Sequence, residues 1–169
     1  MNEVEQGMAA FRAQASMSAR GKLEALLDLE RLRDSRIVPF LVEVLADRRE
    51  ATAVRIHILR RLRSGQPVPD YRPAIAEAIL RVLSERSSQE LRLLAALALA
   101  QFTDIDGVPS ALGRLALDPD EPIDLRYSAF TSLQQAGATP ECTALLRQLS
   151  TDDALGRSAQ STLSIWRLA

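Results

Sequence analysis

The chain holds one histidine, His57, and one cysteine, Cys142, so its reactive side chains can be weighed one at a time. A histidine works as a general base when a nucleophile or a substrate sits beside it. No such companion can be named around His57, which reads as an exposed or partly packed side chain. Cys142 stands near the start of an amphipathic segment and reads as a small buried residue rather than a nucleophile. A lone cysteine also excludes an intramolecular disulfide and a paired-cysteine metal site. The acidic run Asp118, Asp120, Glu121 and Asp124 has the alternation of a calcium loop. It contains two prolines and lacks the central glycine and terminal glutamate. It reads as a loop followed by acid at a helix N-terminus. These residues supply no catalytic constellation, no metal site and no cofactor site, and the expectation is a chain that is not an enzyme.

Arginine is the remaining polar feature. It recurs at Arg20, Arg55, Arg92, Arg126 and Arg157, with gaps of 35, 37, 34 and 31 residues. A proline beat, Pro39, Pro73, Pro109 and Pro140, runs out of phase with it. Two interlocked beats of about 34 residues imply one helical hairpin repeated along the chain. A row of arginines can grip phosphate or acidic peptide. It can also bridge neighbouring helices, and the apolar setting of each arginine favours this structural role, for which a planar five-donor group is suited.

The elements behind the beats are amphipathic helices. With each arginine as position zero, positions −1, +3, +4 and +7 hold Val54, Ile58, Leu59 and Leu62, then Leu91, Ala95, Ala96 and Leu99, then Leu125, Ala129, Phe130 and Leu133. At 100° per residue these slots share one face. The first repeat fits loosely through Ala19, Leu23 and Leu27. The last keeps register through Leu155, Ala159 and Leu163 only if Gly156 takes the arginine slot. The prolines fall in first helical turns, where a missing N–H costs nothing. Val4, Met8, Phe11 and Ala15 trace a further helix. Breaks are expected at Asp34–Ser35, Asp47–Arg49, Ser64–Asp70, Ser87–Ser88, Thr103–Gly107, Asp118–Pro122, Gly137–Thr139 and Thr151–Asp153, several with Ser, Thr or Asp placed as N-caps. Ten helices in five antiparallel pairs result, an all-α fold in a single domain spanning 1–169.

Val54-Arg55 with Leu59 and Leu62, and its echoes at Leu91-Arg92 and Leu125-Arg126, resemble HEAT repeats. They are most similar to the short bacterial HEAT-like repeats also seen in phycobilisome lyase subunits. The resemblance covers nearly the whole chain and implies a right-handed α-α superhelix of about five hairpins. The family often carries an Asp before the second helix of a repeat; Asp47 and Asp118 fill that place eight residues before Arg55 and Arg126, and Ser84 stands there in the third repeat. Such repeats serve many scaffolds, so the function implied is non-enzymatic: a scaffold or adaptor binding another protein or peptide through its concave face. A nucleic-acid binder is the alternative, and a bilin lyase subunit or its chaperone a second one.

Positions +1, +2 and +5 from each arginine point away from the core. They hold Ile56, His57 and Arg60, then Leu93, Leu94 and Leu97, then Tyr127, Ser128 and Thr131. Leu91 to Phe102 is apolar on nearly all sides, and such a helix must be fully covered or await a partner. The expected contact surface is a groove with an apolar middle, flanked by Arg60 and Tyr127, suited to a helix or peptide.

Charge bears on the alternatives. The net charge is −1, with a surplus of +3 over residues 1–86 and −4 over residues 87–169. The cluster Arg31, Arg33, Arg36, Arg48, Arg49, Arg55, Arg60, Arg61 and Arg63 gives +5 over residues 31–63. No aromatics interleave with it for base stacking, so nucleic acid is not favoured over a solvated face or an acidic protein partner. Met1 to Ala10 lacks the pattern of a signal peptide, and no run reaches the roughly 20 apolar residues that span a bilayer. A cytoplasmic protein without membrane association, possible as a homodimer, is expected; Trp166 would seal the last helix pair or pack on a second subunit.

Overall fold

The computed structural model describes residues 1–13, 18–64 and 69–167. Every regular element among them is helical: α1 (Glu3–Ala13), α2 (Ala19–Arg31), α3 (Ile37–Ala46), α4 (Thr52–Ser64), α5 (Arg72–Ser84), α6 (Gln89–Ala98), α7 (Val108–Leu117), α8 (Ile123–Ala136), α9 (Pro140–Leu149) and α10 (Gly156–Ile165). Short 3-10 turns lead into α5 and extend α6. The all-α expectation therefore holds. Ala15 and residues 65–68 of the expected Ser64–Asp70 break lie outside the described residues.

Local chemistry sets the helix boundaries. Asn2 and Glu5 close a reciprocal capping box, each side chain accepting the other's backbone N–H at 3.0 Å. Ser88 accepts from the Leu91 N–H at 3.3 Å and Thr139 from the Cys142 N–H at 3.1 Å, as N-caps do. Pro39, Pro73, Pro109 and Pro140 all fall in first turns. Gly107 opens α7 at φ +87° and Gly137 ends α8 at φ +85°, backbone conformations that favour glycine. Arg33 takes a similar conformation after α2, at φ +50°, without that freedom.

The chain divides into two compact units, Met1–Ala78 and Ile79–Ala169, the division falling inside α5. In the first unit α1 packs on α2, α3 on α4, and α2 on α4. In the second, α6 and α7 both pack on α8, α7 on α9, and α9 on α10. The slots at −1, +3, +4 and +7 are buried without exception in α4, in α6 with the 3-10 turn that extends it, and in α8, and Leu155, Ala159 and Leu163 are buried in the last repeat. Each leucine so placed contributes about 1.5–3 kcal/mol of burial. Alanines in α6 let α8 come close, and the Ser132 hydroxyl donates to the Ala96 carbonyl at 2.6 Å.

The first repeat sits in a different register from the one expected. Leu26 and Leu29 are buried, whereas Leu27 is 45 % exposed and Arg20 pairs with Glu24 in solvent. Lys22, not Arg20, occupies the slot of the later arginines, which moves the buried pair to +4 and +7.

Candidate functional site

Three arginines of the beat, Arg55, Arg92 and Arg126, form joints between helices. Arg55 Nε donates to the Leu45 carbonyl, Arg92 Nε to the Leu83 carbonyl and Arg126 Nε to the Ala116 carbonyl, each at 2.9 Å. Leu45, Leu83 and Ala116 are each the next-to-last residue of α3, α5 and α7. The last carbonyls of a helix have no partner within it, and a cation there also meets the negative end of the helix dipole. One guanidinium thus caps the preceding helix.

The rest of the fork turns to a carboxylate further along the chain. Arg92 holds Glu121 through two parallel bonds of 2.8 and 2.7 Å, and Arg126 holds Asp152 at 2.5 Å. In the first unit Lys22 holds Glu50 at 2.8 and 2.9 Å. Hydrogen bonding from Arg92 keeps the Glu121 carboxyl below its ordinary pKa, and Glu121 in turn raises Arg92. The Asp152 carboxyl is lowered first by the Leu155 N–H, which it accepts at 2.9 Å, and then by Arg126. Asp47 and Asp118, eight residues before their arginines, each accept the backbone N–H two residues on at 2.9 Å, which closes the loop before the next helix. Asp34 does the same for Arg36, whose side chain brings its pKa down to about 2.

The last repeat solves the same problem with different residues. Gly156 takes the arginine slot, where a Cβ would stand 2.8 Å from the Ser150 carbonyl oxygen. Gln160, one turn later, donates to that carbonyl at 2.7 Å. Arg157 is exposed. The exposed positions of α10 are the polar Arg157, Gln160, Ser161 and Ser164 and the apolar Ile165 at its end.

Among the described residues, clefts adjoin two of these joints. One of about 600 Å³ in the first unit is floored by Phe11, Phe40 and Val44, with the Arg12–Glu43 and Lys22–Glu50 pairs on its walls. One of about 460 Å³ in the second unit lies beside Arg92 and Glu121, between Leu83 and Leu115. In each cleft an ion pair, Lys22–Glu50 or Arg92–Glu121, is turned on itself, while Arg114 is exposed on the wall of the second. Among the described residues no three His, Cys, Asp or Glu gather where they could hold a metal ion. Cys142 is buried.

The expected contact residues fall on both units. On α4, Ile56 is half-buried, Arg60 is exposed, and His57 Nε2 lies 3.2 Å from Glu30 Oε1 of α2. On α6, Leu93, Leu94 and Leu97 form one half-buried stripe. On α8, Tyr127 is 42 % exposed, with its hydroxyl 3.0 Å from Ser158 Oγ of α10. Thr131 donates back to the Tyr127 carbonyl at 2.9 Å. The packing of α8 on α6 places Tyr127 and Thr131 on the helix next to the leucines.

Of the basic cluster, Arg31, Arg36 and Arg49 pair with Asp28, Asp34 and Asp47, Arg55 is buried, and Arg61 stands 4.0 Å from Glu30. Arg60 and Arg63 are exposed. Trp166 is half-buried at the end of α10. Sequence reasoning missed the acid half of the joints. Its signal was present: Glu50, Glu121 and Asp152 each stand five residues before Arg55, Arg126 and Arg157.

Among the described residues no helix is long and apolar enough to cross a membrane. No protein-family model matches the sequence, and no curated protein matches it.

Proposed function

We propose that the chain is an α-α superhelix of about five HEAT-like hairpins that acts, without catalysing a reaction, as a scaffold or adaptor for another protein. The superhelix is supported by recurrence: one guanidinium-to-carbonyl joint is built three times, from Arg55, Arg92 and Arg126. It is also supported by helices two apart packing on one another, α2 on α4, α6 on α8 and α7 on α9.

The observation that carries the binding role is the half-buried stripe Leu93, Leu94 and Leu97 on α6. Three leucines side by side at a surface form the apolar centre that protein contacts use. Tyr127 and Thr131 stand on α8, which packs on α6. The test is capture of a partner from lysate by the wild type and by a Leu93→Ser/Leu97→Ser variant. The variant should lose the partner and keep its helical circular dichroism. Loss of folding would make both leucines core residues and end this reading. Salt-sensitive retention of the wild type on DNA, with no protein captured, would favour nucleic acid instead.

A further inference from the structure

Two acids sit at the head of the α6 and α8 stripes, and no cation among the described residues meets them. Glu90, Leu93, Leu94 and Leu97 stand at i, i+3, i+4 and i+7, so they share one face of α6. Asp124, Tyr127, Ser128 and Thr131 repeat the pattern on α8, with Asp124 in the slot of Glu90. Glu90 and Asp124 are exposed and form no ion pair among the described residues. The contrast with the neighbouring acids is sharp in chemical terms. Glu121 is neutralised by Arg92, and Asp152 by Arg126. Folding consumes those charges and leaves Glu90 and Asp124 to the surface, in a region, 87–169, whose balance is −4.

We infer that the α6–α8 face takes a basic amphipathic helix of a partner protein, its apolar stripe on Leu93, Leu94 and Leu97 and its Lys or Arg flank against Glu90 and Asp124. The inference rests on the scaffold reading and specifies its partner. The complement follows from the layout. An apolar stripe at helical spacing is matched by another such stripe. Unneutralised carboxylates beside it attract a cationic flank and repel nucleic acid, anionic lipid and acidic peptide. An acid in a first helical turn also favours its own helix dipole, so helicity is followed in every variant.

The experiment uses the full chain and two labelled synthetic helices read by fluorescence anisotropy. Both carry leucines at i, i+3, i+4 and i+7; one is flanked by lysines, the other by glutamates. The lysine helix should bind at least about tenfold more tightly than the glutamate helix, and more weakly as salt rises. Glu90→Lys/Asp124→Lys should reduce its affinity about tenfold, and Glu90→Gln/Asp124→Asn by a smaller factor, with circular dichroism unchanged. The neutral variant decides the matter if the reversed one fails to fold. Equal binding of the two helices, binding of neither, or indifference to both acid variants overturns the inference. So does tighter binding of phosphatidylserine vesicles or duplex DNA than of the lysine helix. Self-association in sedimentation velocity that is lost in Glu90→Gln/Asp124→Asn would assign the face to a second copy and overturn it as well. If Leu93→Ser/Leu97→Ser abolishes partner capture while Glu90→Gln/Asp124→Asn leaves it intact, the scaffold reading stands and the basic helix does not.

Discussion

Helices α4 and α6 place the same buried slots around the same arginine and then present opposite chemistry. Val54, Ile58, Leu59 and Leu62 on α4 match Leu91, Ala95 and Ala96 on α6 and Leu99 in the turn that extends it, all buried. Arg55 and Arg92 both cap the preceding helix at 2.9 Å. Yet the outward slots hold Ile56, His57 and Arg60 on α4 and Leu93, Leu94 and Leu97 on α6. On α4 the middle position is occupied by a neighbour, since His57 meets Glu30. On α6 three leucines take these places and are half-buried, as Ile56 and His57 are on α4. The difference separates two kinds of constraint. The joint answers a demand every helix end makes, an unsatisfied carbonyl, so its chemistry repeats. The outward stripe answers no such demand, so it varies, and specificity has room there.

The joint is where the comparison can be broken hardest. Arg126→Ala removes the cap on the Ala116 carbonyl and leaves Asp152 without its cation in a largely buried site. A loss of about 2–3 kcal/mol is expected in urea denaturation. Arg126→Lys should recover only part of it, because an ammonium cannot reproduce the fork that reaches carbonyl and carboxylate together. Full stability of the alanine variant would reduce the joint to decoration.

Gly156→Ala tests the substitute joint in the last repeat. The added Cβ would meet the Ser150 carbonyl at 2.8 Å, a backbone atom that cannot rotate away. Helix propensity alone favours alanine by up to about 1 kcal/mol. A net loss of roughly 1–2 kcal/mol is expected from crowding, and a raised Tm would show that the glycine is not there for the close approach.

Acidification should act least, and at the joints it acts through Glu121 and Asp152. The Glu121 and Asp152 carboxyls are held below their ordinary values. Their contribution is complete above the unfolded pKa, near 4.5 and 3.8, and is lost as pH falls through the lower folded values. The Tm should therefore drop between about pH 5 and 3, and Glu121→Gln should flatten part of that drop. An unchanged acid slope in Glu121→Gln would mean that the Arg92–Glu121 pair adds no stability.

Much of this was legible in the residues. The buried slots of α4, α6 and α8, the first-turn prolines and the Ser88 and Thr139 caps follow from local rules, because a helix spaces its neighbours at fixed intervals. The slip at Gly156 was visible for the same reason. Arg20 misled because periodicity counts residue types, and the ammonium of Lys22 can take the same slot in a first repeat. The division of the chain inside α5 left no mark in composition, since no Gly/Ser-rich linker accompanies it.

The sequence by itself determined where helices begin and end and which of their faces are apolar, for these depend on residues within a turn or two of one another. Only the tertiary structure decided which carbonyl each arginine caps and which acid it neutralises. It also decided that, among the described residues, Glu90 and Asp124 stay unneutralised and that Leu93, Leu94 and Leu97 stay half-buried. The acid partners lie some 26 to 29 residues away, as in Arg126 with Asp152, and the capped carbonyls lie 9 or 10 residues back on the preceding helix. Burial and charge pairing are properties of such assembled neighbours, and a helical period carries no information about them.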